Sequence, residues 1–232
     1  MYRNLFKKIT FQNKIIQIVN DKYSNWEEKS YVTRELISNE ERGKEFFIDL
    51  IKNNKNIKIR KGCASILGYM HFPDVASEIL PQILLDKDWT VRYALSNSCA
   101  KNLGKDSVEI LESIYQNLQK DKILDQQYEL KKVFAEGLGS MGFDNAIPKL
   151  STLLDEIGSN RDQKSIELII QILYSLGETG DRSTINLLLR YSAENIYTNQ
   201  NIRLSASHAI DKIAKRLGFV SKKDLIEELN KE

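Results

Sequence analysis

Several residue types that carry chemistry are scarce in this chain. Its 232 residues include two cysteines, two histidines and three prolines, and the formal net charge is only +2. So few thiols and imidazoles leave no basis for a disulfide framework or for a metal centre built from cysteine and histidine. The small net charge also leaves no global field that would attract nucleic acid or an anionic membrane. Recognition by charge must therefore come from local patches.

Long apolar runs are missing as well. No stretch approaches the roughly 18 apolar residues that a membrane-spanning helix needs. Residues 1–20 alternate basic and apolar side chains without a continuous apolar core, so no signal peptide is expected. Cys63 and Cys99 lie among small apolar neighbours in predicted helices, which favours buried thiols in a reducing compartment. Together these features predict a cytoplasmic protein.

The motifs that usually mark catalysis are also lacking. The chain has no His-Glu metal pair, no Cys-x-x-Cys, no Gly-rich phosphate loop and no serine in a nucleophile elbow. The segments GSMG and GETG recur at the period of a repeat and are interpreted as turns between helices. The sequence therefore predicts a protein that is not an enzyme and that needs neither cofactor nor metal.

What the chain does contain is a repeat. Leu-Gly pairs recur at intervals of 36, 35, 38 and 41 residues, and a period in this range is typical of solenoids built from helical hairpins. Each pair is predicted to close a helix, because glycine accepts the left-handed conformation that helix ends commonly require. The five pairs are Leu67-Gly68, Leu103-Gly104, Leu138-Gly139, Leu176-Gly177 and Leu217-Gly218.

Between these pairs the apolar residues recur every three or four positions, the period of a helix that buries one face. The sequence therefore predicts an all-α chain of about six hairpins, each with a first helix A and a second helix B, plus a C-terminal capping helix. Pro81 is expected to kink the helix that contains it. New helices are expected to begin at the capping residues Asp74, Asp106, Asp144, Asp181 and Ser221.

The predicted A and B helices, in chain order, span residues 5–19 with 26–37, 40–51 with 56–67, 74–85 with 88–103, 106–119 with 125–138, 144–154 with 162–176, and 181–191 with 201–217. All of them belong to one predicted repeat domain over residues 1–232. Within it, residues 1–38 are a degenerate N-terminal capping pair and residues 39–218 are the repeats. Residues 219–232 form the C-terminal cap, with a capping box at Ser221 and Asp224.

Several B helices open with a β-branched residue followed by arginine, at Ile59-Arg60, Val91-Arg92 and Ile202-Arg203. The segments DKDWTVRYAL (86–95) and GSMGFDNAIPKLSTLLD (139–155) resemble the turns and helices of bacterial HEAT repeats. The resemblance covers residues 26–218, although the fifth unit has Ile166-Glu167 or Ile169-Ile170 where Ile-Arg or Val-Arg is expected. It implies a right-handed α-α superhelix, an armadillo-like α-solenoid, whose B helices line a concave groove.

In such a groove a partner would contact the B-helix positions that lie outside the core. Trp89, Tyr93, Asn97 and Lys101 recur at a spacing of four, which places them on one side of their helix. Rigid amphipathic rings are good anchors for a bound peptide. Alternatively, Trp89 and Tyr93 pack between repeat units, since aromatic residues at helical spacing are usually core. The predicted groove residues are Tyr69, Trp89, Arg92, Tyr93, Asn97, Tyr128, Lys132, Gln171 and Tyr174.

Two groups of cations have both a functional and a structural interpretation. Arg60, Arg92 and Arg203 form either a phosphate-binding row or, as the resemblance favours, structural arginines that pair with Asp or carbonyl groups at the A–B turns. The segment from Lys52 to Lys61 holds five cations and no acid, so it is either a contact for nucleic acid, an acidic protein or a phospholipid headgroup, or a solvated loop edge.

The resulting expectation is a non-catalytic scaffold or adaptor that binds a protein or peptide in the groove. The alternative is a HEAT-like DNA-binding enzyme of the alkylpurine DNA glycosylase type, of which Trp89, Asp88 and Arg92 are a partial match; its second groove tryptophan is missing here unless Trp26 supplies it. Bilin lyases also use such repeats, but nothing in this chain marks a tetrapyrrole site. Nucleic acid is the less favoured partner, no membrane contact is expected, and the oligomeric state stays open.

Overall fold

The computed structural model describes residues 2–120, 122, 124–157, 162–193 and 199–231. Over these residues the chain forms α-helices, two short 3₁₀ turns at Asp144–Ala146 and Arg182–Thr184, and no β-strand. The predicted all-α class is therefore confirmed. The helices are α1 (Tyr2–Asn20), α2 (Trp26–Ser38), α3 (Gly43–Asn53), α4 (Ile57–Leu67), α5 (Pro73–Ile79), α6 (Gln82–Leu85), α7 (Trp89–Leu103), α8 (Asp106–Gln119), α9 (Leu124–Met141), α10 (Ile147–Ile157), α11 (Gln163–Thr179), α12 (Ile185–Ser192), α13 (Gln200–Arg216) and α14 (Lys222–Leu229).

The chain divides into two compact units, Met1–Leu111 and Glu112–Glu232. In the first unit the hairpins are α1 with α2, α3 with α4, and α5 and α6 with α7. The A helices α1, α3 and α5 pack in chain order, and so do the B helices α2, α4 and α7. In the second unit the B helices α9, α11 and α13 pack in the same way, with α10 against α11, α12 against α13, and α14 covering α13.

Two of the five predicted caps are confirmed, whereas Asp106 and Asp144 are the first residues of α8 and of the 3₁₀ turn Asp144–Ala146. Asp181 and Ser221 accept backbone N–H groups at their helix starts, and the capping box of Ser221 with Asp224 is present. The prediction at Asp74 is wrong, because Phe72 is the N-cap of α5 and Pro73 takes the first helical position, which suits its fixed φ. Pro81 separates α5 from α6, so the predicted break in that helix is confirmed.

The interpretation of the Leu-Gly pairs as helix ends is only partly right. Gly104 and Gly218 have φ of 60° and 86°, and both follow the end of a helix. Gly68 follows α4 but stays right-handed, with φ of −60°. Gly139 and Gly177 lie inside α9 and α11, which continue to Met141 and Thr179. At three of the five positions, therefore, the glycine has another role.

That role is close contact between neighbouring B helices. A Cβ atom on Gly139 would lie 2.6 Å from Ser175 Oγ and 2.8 Å from Ser175 Cα, and one on Gly177 would lie 3.0 Å from Ala209 Cα. A Cβ on Gly68 would lie 2.9 Å from Ser98 Oγ. Because a side chain needs more room than this, the glycines permit α4 to meet α7, and α11 to meet both α9 and α13.

The same polar contact accompanies these glycines in both units. The buried Ser98 hydroxyl donates to the carbonyl of Ala64, four residues before Gly68. The buried Ser175 hydroxyl donates to the carbonyl of Ala135, four residues before Gly139, over 2.7 Å. The helix carbonyl accepts the serine hydroxyl in addition to its bond within the helix. The buried hydroxyl therefore keeps a hydrogen-bond partner while the two helix backbones lie close together. The recurrence indicates that α4–α7 and α9–α11 pack in equivalent registers.

Both cysteines are buried and reduced, as predicted. Burial raises the pKa of the Cys63 and Cys99 thiols to about 12 each, because the thiolate loses its hydration in the core. Neither sulfur is therefore a nucleophile at neutral pH. In the described part of the chain, no group of three or more His, Cys, Asp or Glu side chains is placed to hold a metal ion, and no helix has the length and apolarity to cross a membrane.

Candidate binding face

The arginines at the starts of α4 and α7 are held by the turns between the helices. Arg60 donates from Nε and Nη2 to the two carboxylate oxygens of Asp86, over 2.8 and 3.0 Å, and from Nη1 to the carbonyl of Asn54. Arg92 donates from Nη1 to the carbonyls of Asp86 and Lys87. The structural interpretation is confirmed for these two residues, and the hydrogen bonds to Asp86 raise the pKa of the Arg60 guanidinium.

These contacts also set the direction of α4 and α7. Arg60, near the start of α4, is bonded to Asp86, three residues before α7 begins. At the other end, Lys101 Nζ in the last turn of α7 lies 4.1 Å from the ring centroid of Tyr69, just past the end of α4. The two helices therefore run in the same direction.

Residues at a spacing of four form one exposed or half-exposed stripe on each helix. We call the two stripes together the α4–α7 face. Its largest side chains project into solvent: Trp89 is 63% exposed and Tyr93 is 53% exposed. The interpretation of these two rings as packing residues between repeat units is therefore wrong. The α4–α7 face consists of Ile57, Lys61 and Ser65 on α4, Tyr69 just past the end of α4, and Trp89, Tyr93, Asn97 and Lys101 on α7.

The α4–α7 face carries positive charge without compensation. Neither Ile57–Leu67 nor Trp89–Leu103 contains an aspartate or a glutamate. Three exposed lysines form no salt bridge within the described residues: Lys61 lies on the face, Lys58 in the first turn of α4 and Lys55 in the turn before that helix. An anionic partner would find there both exposed rings and free cations.

Several lysines on the A helices of the same unit form ion pairs with acids of a neighbouring helix. Lys8 of α1 pairs with Asp49 of α3 at 2.9 Å, and Lys52 of α3 pairs with Glu78 of α5 at 3.2 Å. The basic segment Lys52–Lys61 is thus divided by the fold: Lys52 and Arg60 are engaged in ion pairs, and the three lysines between and after them are not. Its free cations belong to α4 and the turn before it.

An open depression of about 480 Å³ adjoins the C-terminal end of the α4–α7 face. Helix α2 contributes Glu27, Tyr31 and Arg34 to its wall, and Tyr69 and Lys101 line it from the face itself. His71, in the turn between α4 and α5, completes the lining. The side chains that meet there come from three separate segments and include two cations, one imidazole and one carboxylate.

The turn that carries His71 is fixed by hydrogen bonds. Asn102 of α7 accepts from the backbone N–H of Phe72 over 2.6 Å and donates to the carbonyls of Leu67 and Ser98. His71 has a φ of 53°, and it is the sole non-glycine residue with positive φ in the part of the chain that the structure describes. Side chains held in this conformation against its energetic cost concentrate at functional sites.

Replacing His71 with glycine is expected to stabilise the protein. The left-handed conformation costs a non-glycine residue about 1–2 kcal/mol, of which about 0.5–1 kcal/mol is lost again to the greater backbone freedom of glycine in the unfolded chain. Urea unfolding should therefore show a midpoint equal to or above that of the wild type, with an unchanged m-value. His71→Ala, which keeps the strained backbone, serves as the control and should gain nothing. A clear loss of stability in His71→Gly would show that the imidazole has a structural role.

The groove residues predicted in the second unit are mostly engaged with their neighbours. Tyr128 OH lies 3.2 Å from Ser165 Oγ, Lys132 pairs with Glu167 at 3.5 Å, and the Gln171 amide donates to Ser175 Oγ over 3.4 Å. Tyr174 is 60% exposed, and Lys212 Nζ lies 5.2 Å from its ring centroid. Each B helix of this unit also carries aspartate or glutamate, unlike α4 and α7.

The sequence predicts one part of the site and not the other. It placed Tyr69, Trp89, Tyr93 and Asn97 on a binding surface, and the structure brings these together with Lys101. It missed the wall formed by α2, because residues 1–38 were assigned to a degenerate cap. The spacing of Glu27, Tyr31 and Arg34 by four and three residues indicates that they share one side of α2. Nothing in the sequence indicates the left-handed conformation of His71.

Asp88 and Arg92, two residues of the partial match to a DNA glycosylase, form local hydrogen bonds. Asp88 accepts from the backbone N–H groups of Thr90 and Val91 as the N-cap of α7, and the Thr90 hydroxyl bond is the main cause of its lowered pKa. Arg92 donates a hydrogen bond to the turn before α7.

Comparison with protein-family models gives no match for the chain, and neither does comparison with curated protein sequences.

Proposed function

We propose that this protein is a non-catalytic, HEAT-like interaction module, and that the α4–α7 face binds an acidic segment of a partner protein. One observation carries the proposal: exposed rings at Trp89, Tyr93 and Tyr69 lie beside free lysines on two helices without acids. Aromatic side chains on a rigid helix bury large areas at little entropic cost, and the lysines steer and orient an anionic chain.

A protein segment suits this surface better than a nucleic acid does. The net charge of the whole chain is only +2, and lysines on other helices, such as Lys8, Lys52 and Lys131, are paired with acids. Proteins that bind nucleic acid draw most of their affinity from many phosphate contacts and are usually strongly basic. A short acidic stretch with apolar residues would engage both the lysines and the rings.

Binding of labelled probes to the purified protein tests the proposal. Fluorescence polarisation is recorded at low and physiological salt with a peptide of Glu, Leu and Gly, a peptide in which Gln replaces Glu, and single- and double-stranded DNA. The acidic peptide should bind most tightly, and Trp89→Ala should weaken it about 30-fold, as expected for the loss of a central aromatic anchor. Tyr174→Ala, which removes an equally exposed ring in the second unit, is the matched control and should have no effect.

The outcomes separate the candidate partners. Equal binding of the Glu and Gln peptides would exclude charge recognition at this face. Tighter binding of either DNA, with a steep dependence on salt, would replace the proposal with a nucleic-acid interface. Absence of binding by every probe at high protein concentration would also overturn it.

A further inference from the structure

We infer that the depression between α2, the α4–α5 turn and α7 binds a phosphomonoester side chain, phosphoserine or phosphothreonine, of the acidic segment. This inference rests on the proposed function, because Tyr69 and Lys101 belong both to the depression and to the α4–α7 face. A peptide bound along the α4–α7 face would therefore reach the depression near the C-terminal ends of α4 and α7.

The groups that line the depression favour an anion that accepts hydrogen bonds from several sides. The cations Arg34 and Lys101 approach from α2 and α7, against the single carboxylate of Glu27, and the His71 imidazole adds a further N–H donor from the intervening turn. A phosphomonoester carries about −1.5 to −2 charges at neutral pH and three strong acceptor oxygens, so it can engage donors from several directions at once.

The geometry of the donors supports the same ligand. Lys101 Nζ lies over the Tyr69 ring at 4.1 Å and Arg34 Cζ lies 5.6 Å from the Phe72 ring, so aromatic rings hold both cations at the edge of the depression. Tyr31 is 68% exposed and Tyr69 is 40% exposed, and their hydroxyls can donate to further oxygens.

The site is also built on a rigid frame. Ser30 of α2, which also lines the depression, donates to the carbonyl of Ile66 over 2.7 Å and so joins α2 to α4. Asn102 holds the turn at Phe72, as described above. A preorganised arrangement of this kind lowers the entropic cost of binding a small charged group.

The test compares labelled acidic peptides that differ at one residue, which is serine, phosphoserine or glutamate. The wild type is expected to bind the phosphoserine peptide about tenfold more tightly than the serine peptide, and more tightly than the glutamate peptide. Arg34→Gln should reduce this preference to about threefold or less, with Arg34→Lys in between, because lysine keeps the charge but not the fork of donors. Free inorganic phosphate should compete more strongly with the phosphoserine peptide than with the serine peptide.

A matched variant separates this inference from the proposed function. Lys58 lies on α4 outside the depression, so Lys58→Gln should weaken all three peptides and leave the ratio between them unchanged. Equal binding of the serine and phosphoserine peptides by the wild type would overturn the phosphate site while the acidic-segment proposal stands. A preference that survives Arg34→Gln in full would also overturn it. Failure of all three peptides to bind would overturn the proposed function itself.

Discussion

Replacing Asp86 with alanine is expected to lower the free energy of unfolding by about 3 kcal/mol, the loss typical of removing one partner from a buried ion pair. The Asp86 side chain is 5% exposed and that of Arg60 is 13% exposed, so the guanidinium that loses its carboxylate has little access to water. The backbone N–H of Asp88 loses its acceptor as well. Because these bonds join the start of α4 to the turn before α7, the loss should appear in chemical denaturation as a lower midpoint.

Two controls define the Asp86 prediction. Asp74→Ala removes a partner from the ion pair of Asp74 with Lys44, in which both side chains are more than half exposed, and should cost less than about 1 kcal/mol. A double-mutant cycle with Arg60→Ala should give a coupling energy of about 1–3 kcal/mol. If Asp86→Ala and Asp74→Ala have equal effects, the Arg60–Asp86 pair does not hold the turn.

Replacing Gly139 with valine is expected to destabilise the second unit by about 3 kcal/mol or more. The new Cβ would collide with Ser175 Oγ, Cβ and Cα at 2.6–2.8 Å, so α9 and α11 would have to separate. Overpacking of this kind costs about 1–3 kcal/mol, and the displaced Ser175 hydroxyl would lose its buried bond to Ala135, worth about 1 kcal/mol. Thermal or urea unfolding of the intact chain measures the change.

Gly142→Ala is the matched control for that substitution. Gly142 follows α9 with φ of 75°, and a Cβ there would meet no atom within 4 Å. Its cost should therefore be limited to backbone strain, about 1–2 kcal/mol. A larger loss from Gly142→Ala than from Gly139→Val would contradict the assignment of Gly139 to helix contact.

The first unit contains two kinds of exposed or half-exposed lysine: some form ion pairs with acids, and others have no acid partner. Lysines between A helices, such as Lys8 and Lys52, are neutralised by acids of the neighbouring helix. Lys58 and Lys61 on α4 have no such acid beside them. Because an exposed ion pair contributes little to the free energy of unfolding, the fold loses little stability when an exposed lysine has no acid partner. Such a lysine remains available to a bound partner.

Much of the local structure was predictable from sequence. Apolar spacing and capping residues placed α7, α8, α11 and α14 within a few positions of their observed ends, because each signal lies within a few residues of the boundary that it marks. The exposed stripe of Trp89, Tyr93, Asn97 and Lys101 followed from the same spacing. The right-handed superhelix remains an expectation from the resemblance.

Tertiary structure decided what local spacing could not. Gly68, Gly139 and Gly177 share the sequence context of Gly104 and Gly218, and differ from them only in what the next B helix places opposite. The same holds for the depression, where Arg34, His71 and Lys101 meet although they are 30 or more residues apart. The sequence alone determined a helical repeat and the side of α7 that carries its rings. Packing determined which glycines are contacts and which cations are free, because both depend on residues that are neighbours only after folding.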